Sequence, residues 1–181
     1  RGLGDVYKRQ MPFDDLNAEV TSDITWWPWR EWYYTINVCN FAISRCGEDN
    51  SQLSNKMKRI KGQVLFLRGL SYYNLVGYYQ NPPLITDYAT YSSLDGLYTS
   101  NSTYDAVLDQ VEKDFHEAME LLPSRDEGGE WAGGRATCGA AAGYYARALM
   151  MRQKYSDALT VLKDIIGKKY GTYRLMLNYG D

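Results

Sequence analysis

Residues 137–167 read TCGAAAGYYARALMMRQKYSDALTVLKDIIG, and this stretch decides the fold class. It predicts two helices, at about 137–152 and 156–167, joined by a three-residue turn. Ala146 and Ala158 stand twelve positions apart, the spacing at which the two helices of a tetratricopeptide repeat cross closely. Because one such pair cannot bury its own apolar face, the stretch predicts an all-α fold of stacked tetratricopeptide-like helix pairs.

Three longer helices are predicted upstream, at about 27–45, at about 53–79, and from residue 102 or 103 to Pro123. Each carries a stripe of residues at steps of three and four, which is the helix period. The first stripe is Trp29, Trp32, Tyr33, Ile36, Cys39, Asn40 and Ile43. The second is Met57, Ile60, Val64, Leu67, Leu70, Leu75 and Tyr78. The third is Val107, Leu108, Val111, Phe115, Ala118, Met119 and Leu122.

Proline and glycine refine these helix predictions. Pro28 fits the first turn of the first helix, where a missing N–H group is tolerated. Gly62, Gly69 and Gly77 each cost about 1 kcal/mol relative to alanine inside a helix. We therefore expect each of them to admit a neighbouring helix at close range. The last helix is expected to face back onto its partner with three residues, Ala158, Leu162 and Ile165.

Two long irregular loops separate the predicted helices. Residues 81–102 are rich in Tyr, Ser, Thr and Asp, and residues 124–134 contain four glycines. A segment of about twenty residues without periodicity is long for a compact domain, and such loops are often functional. The chain of 181 residues holds 17 tyrosines, so the tyrosines of the first loop are of interest as a binding surface.

The composition excludes several classes of protein. With 45% hydrophobic and 23% charged residues, the chain is expected to fold into a globular structure. A net charge of -2, without clustered Lys or Arg, argues against a nucleic-acid binder. No run approaches ~18 uninterrupted apolar residues, so no transmembrane helix is predicted.

The sequence carries no recognisable catalytic or metal-binding motif, so we expect no catalytic residue, no metal and no cofactor. Cys39, Cys46 and Cys138 form no CxxC pair and are expected to be buried free thiols. The single histidine, His116, has no Ser, Cys or metal cluster at motif spacing and is expected to be a solvated helix residue. Residues 129–137 superficially resemble a phosphate loop but lack its Lys and Ser or Thr.

Four ordered segments resemble the SusD/RagB family of outer-membrane nutrient-binding lipoproteins. Residues 29–40 have the pattern W-x3-Y-x2-I-x3-N, and residues 66–85 combine FLR, YY-x-L-x2-Y and PLI. Residues 104–123 join an initial Tyr to D-x3-A and LLP, and residues 134–158 contain GRAT, GAA and Y-x2-A. The tail, residues 173–179, is similar to the family as well. The sequence departs from the family pattern at Gly69, where Ala is usual, and at Gln80-Asn81-Pro82, where Gly-Asp-Val is usual.

This resemblance implies a non-catalytic cell-surface lipoprotein of the outer membrane. Such a protein binds an oligosaccharide or, in some members, a peptide, and delivers it to a TonB-dependent, SusC-like transporter. Its lipid-anchor cysteine would lie upstream, so none of the three cysteines here is given that role. We expect residues 11–181 to be the N-terminal part of a single SusD-like domain, truncated at both ends. Residues 1–10 resemble translated adapter sequence and are expected to be a non-native leader.

Exposed aromatic residues beside polar groups are the expected ligand site of a glycan-binding protein. A sugar ring packs its apolar C–H face on a flat aromatic ring, and polar neighbours bind its hydroxyl groups. Trp26 and Trp27, with Arg30 nearby, form the first candidate surface. The two loops supply the other candidates, Tyr88, Tyr91, Tyr98 and Trp131. The opposing interpretation is that these rings only pack. Three residues are expected to be structural: Trp29, Tyr33 and Arg68.

Two other functions stay open from the sequence. A tetratricopeptide scaffold that binds a protein or peptide partner would use the same helix pairs, although it predicts a regular recurrence of about 34 residues, which the loops interrupt. An all-α glycosidase would need two carboxylates ~5–9.5 Å apart across a cleft, and no sequence pattern points to such a pair.

Overall fold

The computed structural model describes residues 23–47, 49–92, 95–129 and 133–174, and these residues form an all-α fold. Five α-helices run through them: α1 (Asp23–Cys46), α2 (Asn55–Tyr79), α3 (Tyr104–Leu121), α4 (Cys138–Met151) and α5 (Tyr155–Ile166). Short 3-10 helices lie between them at Asn50–Gln52, Tyr88–Ser92, Asp95–Tyr98 and Arg125–Glu127. No strand occurs within these ranges. The predicted fold class is confirmed, with long irregular connections between the helices.

Consecutive helices pack against one another along the chain. α1 packs on α2, α2 on α3, α3 on α4 and α4 on α5, whereas α2 and α4 meet over a small area. This nearest-neighbour order is typical of stacked tetratricopeptide-like pairs. The main core lies among the first four helices and includes a set of nearly inaccessible side chains: Ile36, Leu65, Tyr72, Leu75, Leu108 and Phe115.

A second, smaller core joins α4 to α5. Its buried members are Ala142, Ala146, Leu149, Ala158 and Val161. Both alanines of the predicted crossing are buried there, so the tetratricopeptide-like pairing is confirmed. Leu162 is exposed, which contradicts the prediction, and Val161 takes its place. Both residues lie one turn after Ala158, on opposite sides of it, and the face of α5 that meets α4 is turned toward Val161 and away from the side of the exposed Tyr155.

Hydroxyl side chains cap three of the helices. Ser54, Thr103 and Thr137 each accept a hydrogen bond from the backbone N–H three residues later, at 3.3, 3.2 and 3.3 Å. Such a cap contributes about 1 kcal/mol to stability. α1 differs from its prediction, because it begins at Asp23 and therefore holds Pro28 in its interior rather than in its first turn. A proline at that position removes one backbone hydrogen bond from the helix.

Two of the three glycines in α2 are explained by the close approach of α3. A Cβ atom added at Gly62 would lie 2.9 Å from Leu122 Cγ, and one added at Gly69 would lie 3.2 Å from Asp114 Cβ. The expectation for these two positions is confirmed. Nothing lies within 4 Å of a Cβ added at Gly77, so the expectation is wrong there.

The buried face of α2 differs from the stripe that apolar periodicity predicts. Ile60, Leu67 and Tyr78 belong to the predicted stripe but are exposed. The buried residues are Lys61, Gly62, Leu65, Phe66, Arg68, Gly69, Ser71, Tyr72, Leu75 and Val76. Because this face includes glycine and charged residues, a count of apolar positions alone does not find it.

A buried ion pair joins α1, α2 and α3. Arg68 is 6% exposed and Asp114 is 1% exposed. The Arg68 Nε and Nη2 atoms donate to the two carboxylate oxygens of Asp114 at 2.8 and 2.7 Å. Arg68 Nη1 donates to Asn40 Oδ1 at 2.9 Å, and Gln110 Nε2 donates to Asp114 Oδ1 at 2.8 Å. Arg68 is structural, as predicted, and it joins the interiors of the helices rather than their ends.

Burial and pairing act in opposite directions on the groups of this cluster. Burial alone would lower the pKa of Arg68, but the hydrogen bonds and charge of Asp114 raise it. Burial raises the pKa of the Asp114 carboxyl, against the hydrogen bonds from Arg68 and Gln110. Burial also raises the pKa of Cys39, which precedes Asn40 in α1, to about 11. All three cysteines are buried and free, as predicted.

The chain leaves α2 through a strained residue. Gln80 has φ 62° and ψ -61°, and the Asn81 N–H donates to the Tyr79 carbonyl across it at 2.7 Å. This is a γ-turn with a positive φ, which glycine adopts readily and residues with a Cβ atom do not. Gln80 is also a position where the sequence departs from the glycine that is usual in the SusD/RagB pattern.

We expect Arg68→Met to lower the free energy of unfolding by about 3–5 kcal/mol, because it leaves the buried Asp114 without its partner. Urea denaturation measures the change. The control is Arg45→Met, which removes an exposed arginine that lies over the Phe41 ring and should change stability by less than about 1 kcal/mol. Equal losses in the two variants would contradict the central role of Arg68.

We expect Gln80→Gly to raise the free energy of unfolding by about 1 kcal/mol, because glycine accepts the positive φ without strain. The matched control is Gln63→Gly inside α2, where glycine should instead lower stability by about 1 kcal/mol. Urea midpoints of the two variants are compared with that of the parent chain. A loss of stability at both positions would show that Gln80 is unstrained.

Candidate functional site

Two exposed tryptophans and an arginine form a cluster in the first turns of α1, the tryptophan corner (Trp26, Trp27 and Arg30). Trp26 is 47% exposed and Trp27 is 46% exposed. Their ring centroids lie 5.9 Å apart, edge to face at 81°. The Arg30 guanidinium carbon lies 5.2 Å from the Trp26 ring centroid and 4.5 Å from that of Trp27. The structure therefore brings these three predicted site residues together at the surface.

Next to the tryptophan corner, a second group of aromatic rings ties the start of α1 to the core. Tyr79, at the end of α2, donates a hydrogen bond from its hydroxyl to the Thr25 carbonyl, and burial raises its pKa. The Trp29 ring contacts Tyr79 edge to face at 4.9 Å and Tyr33 at 4.8 Å. Tyr33 donates to the Pro83 carbonyl at 2.7 Å. Trp29 and Tyr33 pack against the main core, as predicted, and hold the start of α1 in place.

Arg30 is positioned by ring contacts more than by its ion pair. It lies 3.4 Å from Glu31, but both side chains are about half exposed, and such pairs contribute little. A guanidinium over an aromatic ring at an exposed site contributes about 0.5–1 kcal/mol, and Arg30 contacts two rings. Its donors therefore lie beside two flat apolar surfaces, an arrangement that can bind a hydroxyl-rich ring.

The loop of residues 81–102, which we call the tyrosine-rich loop, is held to the helices at Ile85. The buried Tyr72 hydroxyl donates to the Ile85 carbonyl and accepts from its N–H, both at 2.8 Å. Asn40 Nδ2 donates to the same carbonyl at 2.8 Å, and Ser102 Oγ accepts from the Leu84 N–H at 3.1 Å. The start of the loop is thus fixed to α1 and α2 through Ile85, and its end at Ser102 is joined back to Leu84.

Of the loop candidates, Tyr88 is the one whose ring contacts place it on α1, and it lies apart from the tryptophan corner. Tyr98 is 86% exposed, and Tyr88 is exposed with its ring edge to face on Phe41 at 4.9 Å. Since Phe41 lies fifteen residues after Trp26 in α1, Tyr88 is about 22 Å from the corner. The backbone of Tyr91 lies in the 3-10 helix Tyr88–Ser92, but its side chain and the whole of Trp131 lie outside the described residues.

Sequence reasoning missed an exposed apolar strip on α1 that leads from the helix interior to the contact between Phe41 and Tyr88. We call it the α1 strip, formed by Tyr34, Val38 and Phe41, all exposed, and extended by Tyr88. Its members are four and three residues apart, which is the helix period, so the sequence already indicated that they share one face of α1. It was missed because the neighbouring stripe through Ile36 carries the stronger apolar pattern.

Within the described residues, no group of three or more His, Cys, Asp or Glu side chains could hold a metal ion. No helix in that part of the chain is long and apolar enough to cross a membrane. His116 is an exposed helix residue, as predicted. It lies 4.0 Å from Glu120, and its ring contacts that of Tyr145 edge to face at 5.5 Å.

The sequence matches a family model whose description reads SusD-like, starch-binding associating with outer membrane. The match runs over residues 4–150. No match was found among curated proteins. The family match covers well over half of the chain, including α1 to α3 and most of α4.

Solved structures of similar proteins agree with this fold. A SusD superfamily protein from Parabacteroides distasonis is 24% identical, with a TM-score of 0.78 over 93% of this chain and 36% of that one. A SusD-like carbohydrate-binding protein from Bacteroides fragilis is 23% identical, with a TM-score of 0.74 over 83% and 29%. A laminarin-binding SusD-like protein is 27% identical, with a TM-score of 0.70 over 84% and 33%. The chain spans about a third of the length of these relatives. By its sequence match and its fold, the chain belongs to the SusD-like family.

Proposed function

We propose that the protein is a non-catalytic glycan-binding protein of the cell surface that delivers oligosaccharides to a TonB-dependent outer-membrane transporter. The tryptophan corner is the observation that carries this proposal for the chain itself. The family description, starch-binding associating with outer membrane, supports the location and the class of ligand. Residues 11–181 would be part of a larger SusD-like domain that is held at the membrane by an upstream lipid anchor.

The chemistry of the tryptophan corner suits a carbohydrate. Two indole rings at about 81° to each other offer faces in two directions, so that they can contact adjacent sugar rings of one chain. Arg30 adds N–H donors for hydroxyl oxygens beside these rings. Because Tyr79 holds the backbone beside these rings through the Thr25 carbonyl, that part of the backbone is ordered before a ligand binds.

Delivery to a transporter requires binding without bond cleavage. A carrier of this kind must release its ligand unchanged, so an exposed platform serves it better than an enclosed pocket. Tyr98, Tyr88, Tyr91 and Trp131 are retained as further ligand contacts in this proposal. Of the two whose side chains the structure describes, Tyr98 and Tyr88, Tyr98 is the more exposed and thus the more accessible to a ligand.

A second candidate function is a tetratricopeptide-like scaffold that binds a protein or peptide partner. The α1 strip favours it, because a row of exposed apolar side chains on one helix is typical of a protein-binding surface. The two functions are compatible in one protein if the partner is the transporter. Glycan binding by the isolated chain would support the first function, and binding of a peptide without any glycan binding would favour the second.

We expect Trp26→Ala combined with Trp27→Ala to weaken oligosaccharide binding by about tenfold to a hundredfold, since two stacking surfaces are lost. Calorimetry against neutral oligosaccharides from starch, laminarin and other polysaccharides measures the affinity. The control is Tyr155→Ala, which removes an exposed aromatic ring from α5 and should leave affinity unchanged.

Two results would count against the proposal. If the parent chain and the full-length protein bind none of the oligosaccharides, the glycan function is wrong. If binding occurs but the double tryptophan variant matches Tyr155→Ala, the tryptophan corner is not the site. The free energy of unfolding, measured by urea denaturation, should stay within about 1 kcal/mol of that of the parent, because both tryptophans are half exposed.

A further inference from the structure

Gly77 is the one glycine of α2 whose place in the helix no contact explains. Glycine destabilises a helix interior by about 1 kcal/mol relative to alanine, and α3 accounts for Gly62 and Gly69 but not for Gly77. Gly77 instead lines a cavity of about 190 Å³ between α2 and α4. We call this the α2–α4 pocket, lined by Tyr73, Asn74, Gly77, Tyr78 and Met151. It lies on neither the tryptophan corner nor the α1 strip.

The size and walls of the α2–α4 pocket limit what it can hold. Pockets that enclose drug-sized ligands measure about 300–1,000 Å³, so this cavity admits a single ring. Tyr78 is 72% exposed, and Trp32 of α1 contacts its ring at 5.4 Å with a tilt of 41°. Tyr78 therefore presents a braced, solvent-facing aromatic wall. At Gly77 the absence of a side chain lets a ligand approach the helix backbone.

Arg147 lies over the ring of Tyr73, one of the residues that line the α2–α4 pocket, and has no acidic partner among the described residues. It lies one helical turn before Met151, and its guanidinium carbon is 5.4 Å from the Tyr73 ring centroid and 5.3 Å from that of Tyr144. Arg68 and Arg152 each pair with a carboxylate, but among the described residues Arg147 pairs with none. Two rings thus hold an exposed guanidinium whose donors are available to a ligand.

We propose that the α2–α4 pocket binds one sugar ring that carries a carboxylate, a uronic acid residue of an acidic glycan. The guanidinium of Arg147 matches a carboxylate with two parallel hydrogen bonds. The Tyr78 ring packs on the C–H face of the sugar, and the Asn74 amide binds its hydroxyl groups. This inference rests on the proposed function in its general form, glycan binding, and adds a second site with its own ligand class.

A uronic acid suits the pocket better than an acidic side chain of a peptide. A glutamate or aspartate would satisfy Arg147 but would leave the Tyr78 wall and the space over Gly77 unfilled. A neutral sugar would fill the cavity but leave the guanidinium unpaired. Only a ring that bears a carboxylate uses the charge, the aromatic wall and the concave floor together.

Calorimetry with trigalacturonic acid tests the proposal on the parent chain. We expect binding that weakens at least about tenfold when the carboxylates are methyl-esterified, and about tenfold in Arg147→Gln. The matched control is Arg45→Gln, which also removes an exposed arginine stacked on an aromatic ring and should change affinity less than about twofold. Affinity should also fall as salt is added, since the guanidinium is exposed.

Gly77→Leu separates binding from general damage. Leucine favours the helix and meets no atom within 4 Å at its Cβ, so the urea midpoint should rise. The same side chain fills the cavity, so trigalacturonic acid should bind at least about tenfold more weakly. Opposite changes in stability and affinity support the pocket, whereas unchanged affinity in Gly77→Leu overturns it.

The remaining outcomes distinguish this inference from the tryptophan corner. The Trp26→Ala and Trp27→Ala double variant should keep its affinity for trigalacturonic acid, and Gly77→Leu should keep that for neutral oligosaccharides. If neutral oligosaccharides bind but trigalacturonic acid does not, the uronic acid site alone is wrong. If a glutamate-rich peptide binds as tightly as trigalacturonic acid and loses affinity in Arg147→Gln, the pocket recognises peptides and the sugar assignment is overturned.

Discussion

The rest of the structure depends on the ion pair between Arg68 and Asp114. Its two hydrogen bonds lock α2 to α3, and the third, to Asn40, adds α1. Asn40 in turn binds the Ile85 carbonyl, which fixes the start of the tyrosine-rich loop. A single guanidinium therefore sets the relative positions of three helices and one loop. Each proposed ligand site uses one helix of this frame, since the corner lies on α1 and one side of the pocket is formed by α2.

Burying an ion pair between helices requires desolvation free energy, and here the pair fixes the register of α2 on α3. Removing two charges from water requires several kcal/mol, which close hydrogen bonding must offset. Gln110 and Asn40 complete the shell, so that each charged group meets fixed partners. An apolar contact would tolerate sliding of α2 along α3, whereas a two-point bond to Asp114 does not. The close contacts at Gly62 and Gly69 need that exact register, because the two helices approach within the space of a missing Cβ atom.

Sequence reasoning found those features that depend on neighbours along the chain. The five α-helices and the crossing of α4 and α5 follow from local spacing and turn chemistry. For Trp26 and Trp27 the sequence left two interpretations, an exposed ligand surface or rings that only pack, and the rings are exposed. The buried face of α2 was misjudged, because Lys61 and Arg68 are buried only through partners on distant segments. The α2–α4 pocket escaped for the same reason: Gly77 and Met151 meet only after the helices have stacked.

The burial of Cys39 has a redox consequence. With a pKa of about 11, roughly one molecule in ten thousand carries the thiolate at neutral pH, against a few per cent for an ordinary cysteine. Thiolate is the form that attacks disulfides and is oxidised to sulfenic acid. In an oxidising medium the folded chain should therefore neither cross-link through Cys39 nor lose it to peroxide. The thiol of Cys39 is therefore unreactive only while α1 packs on α2. It becomes an ordinary reactive thiol once the two helices separate.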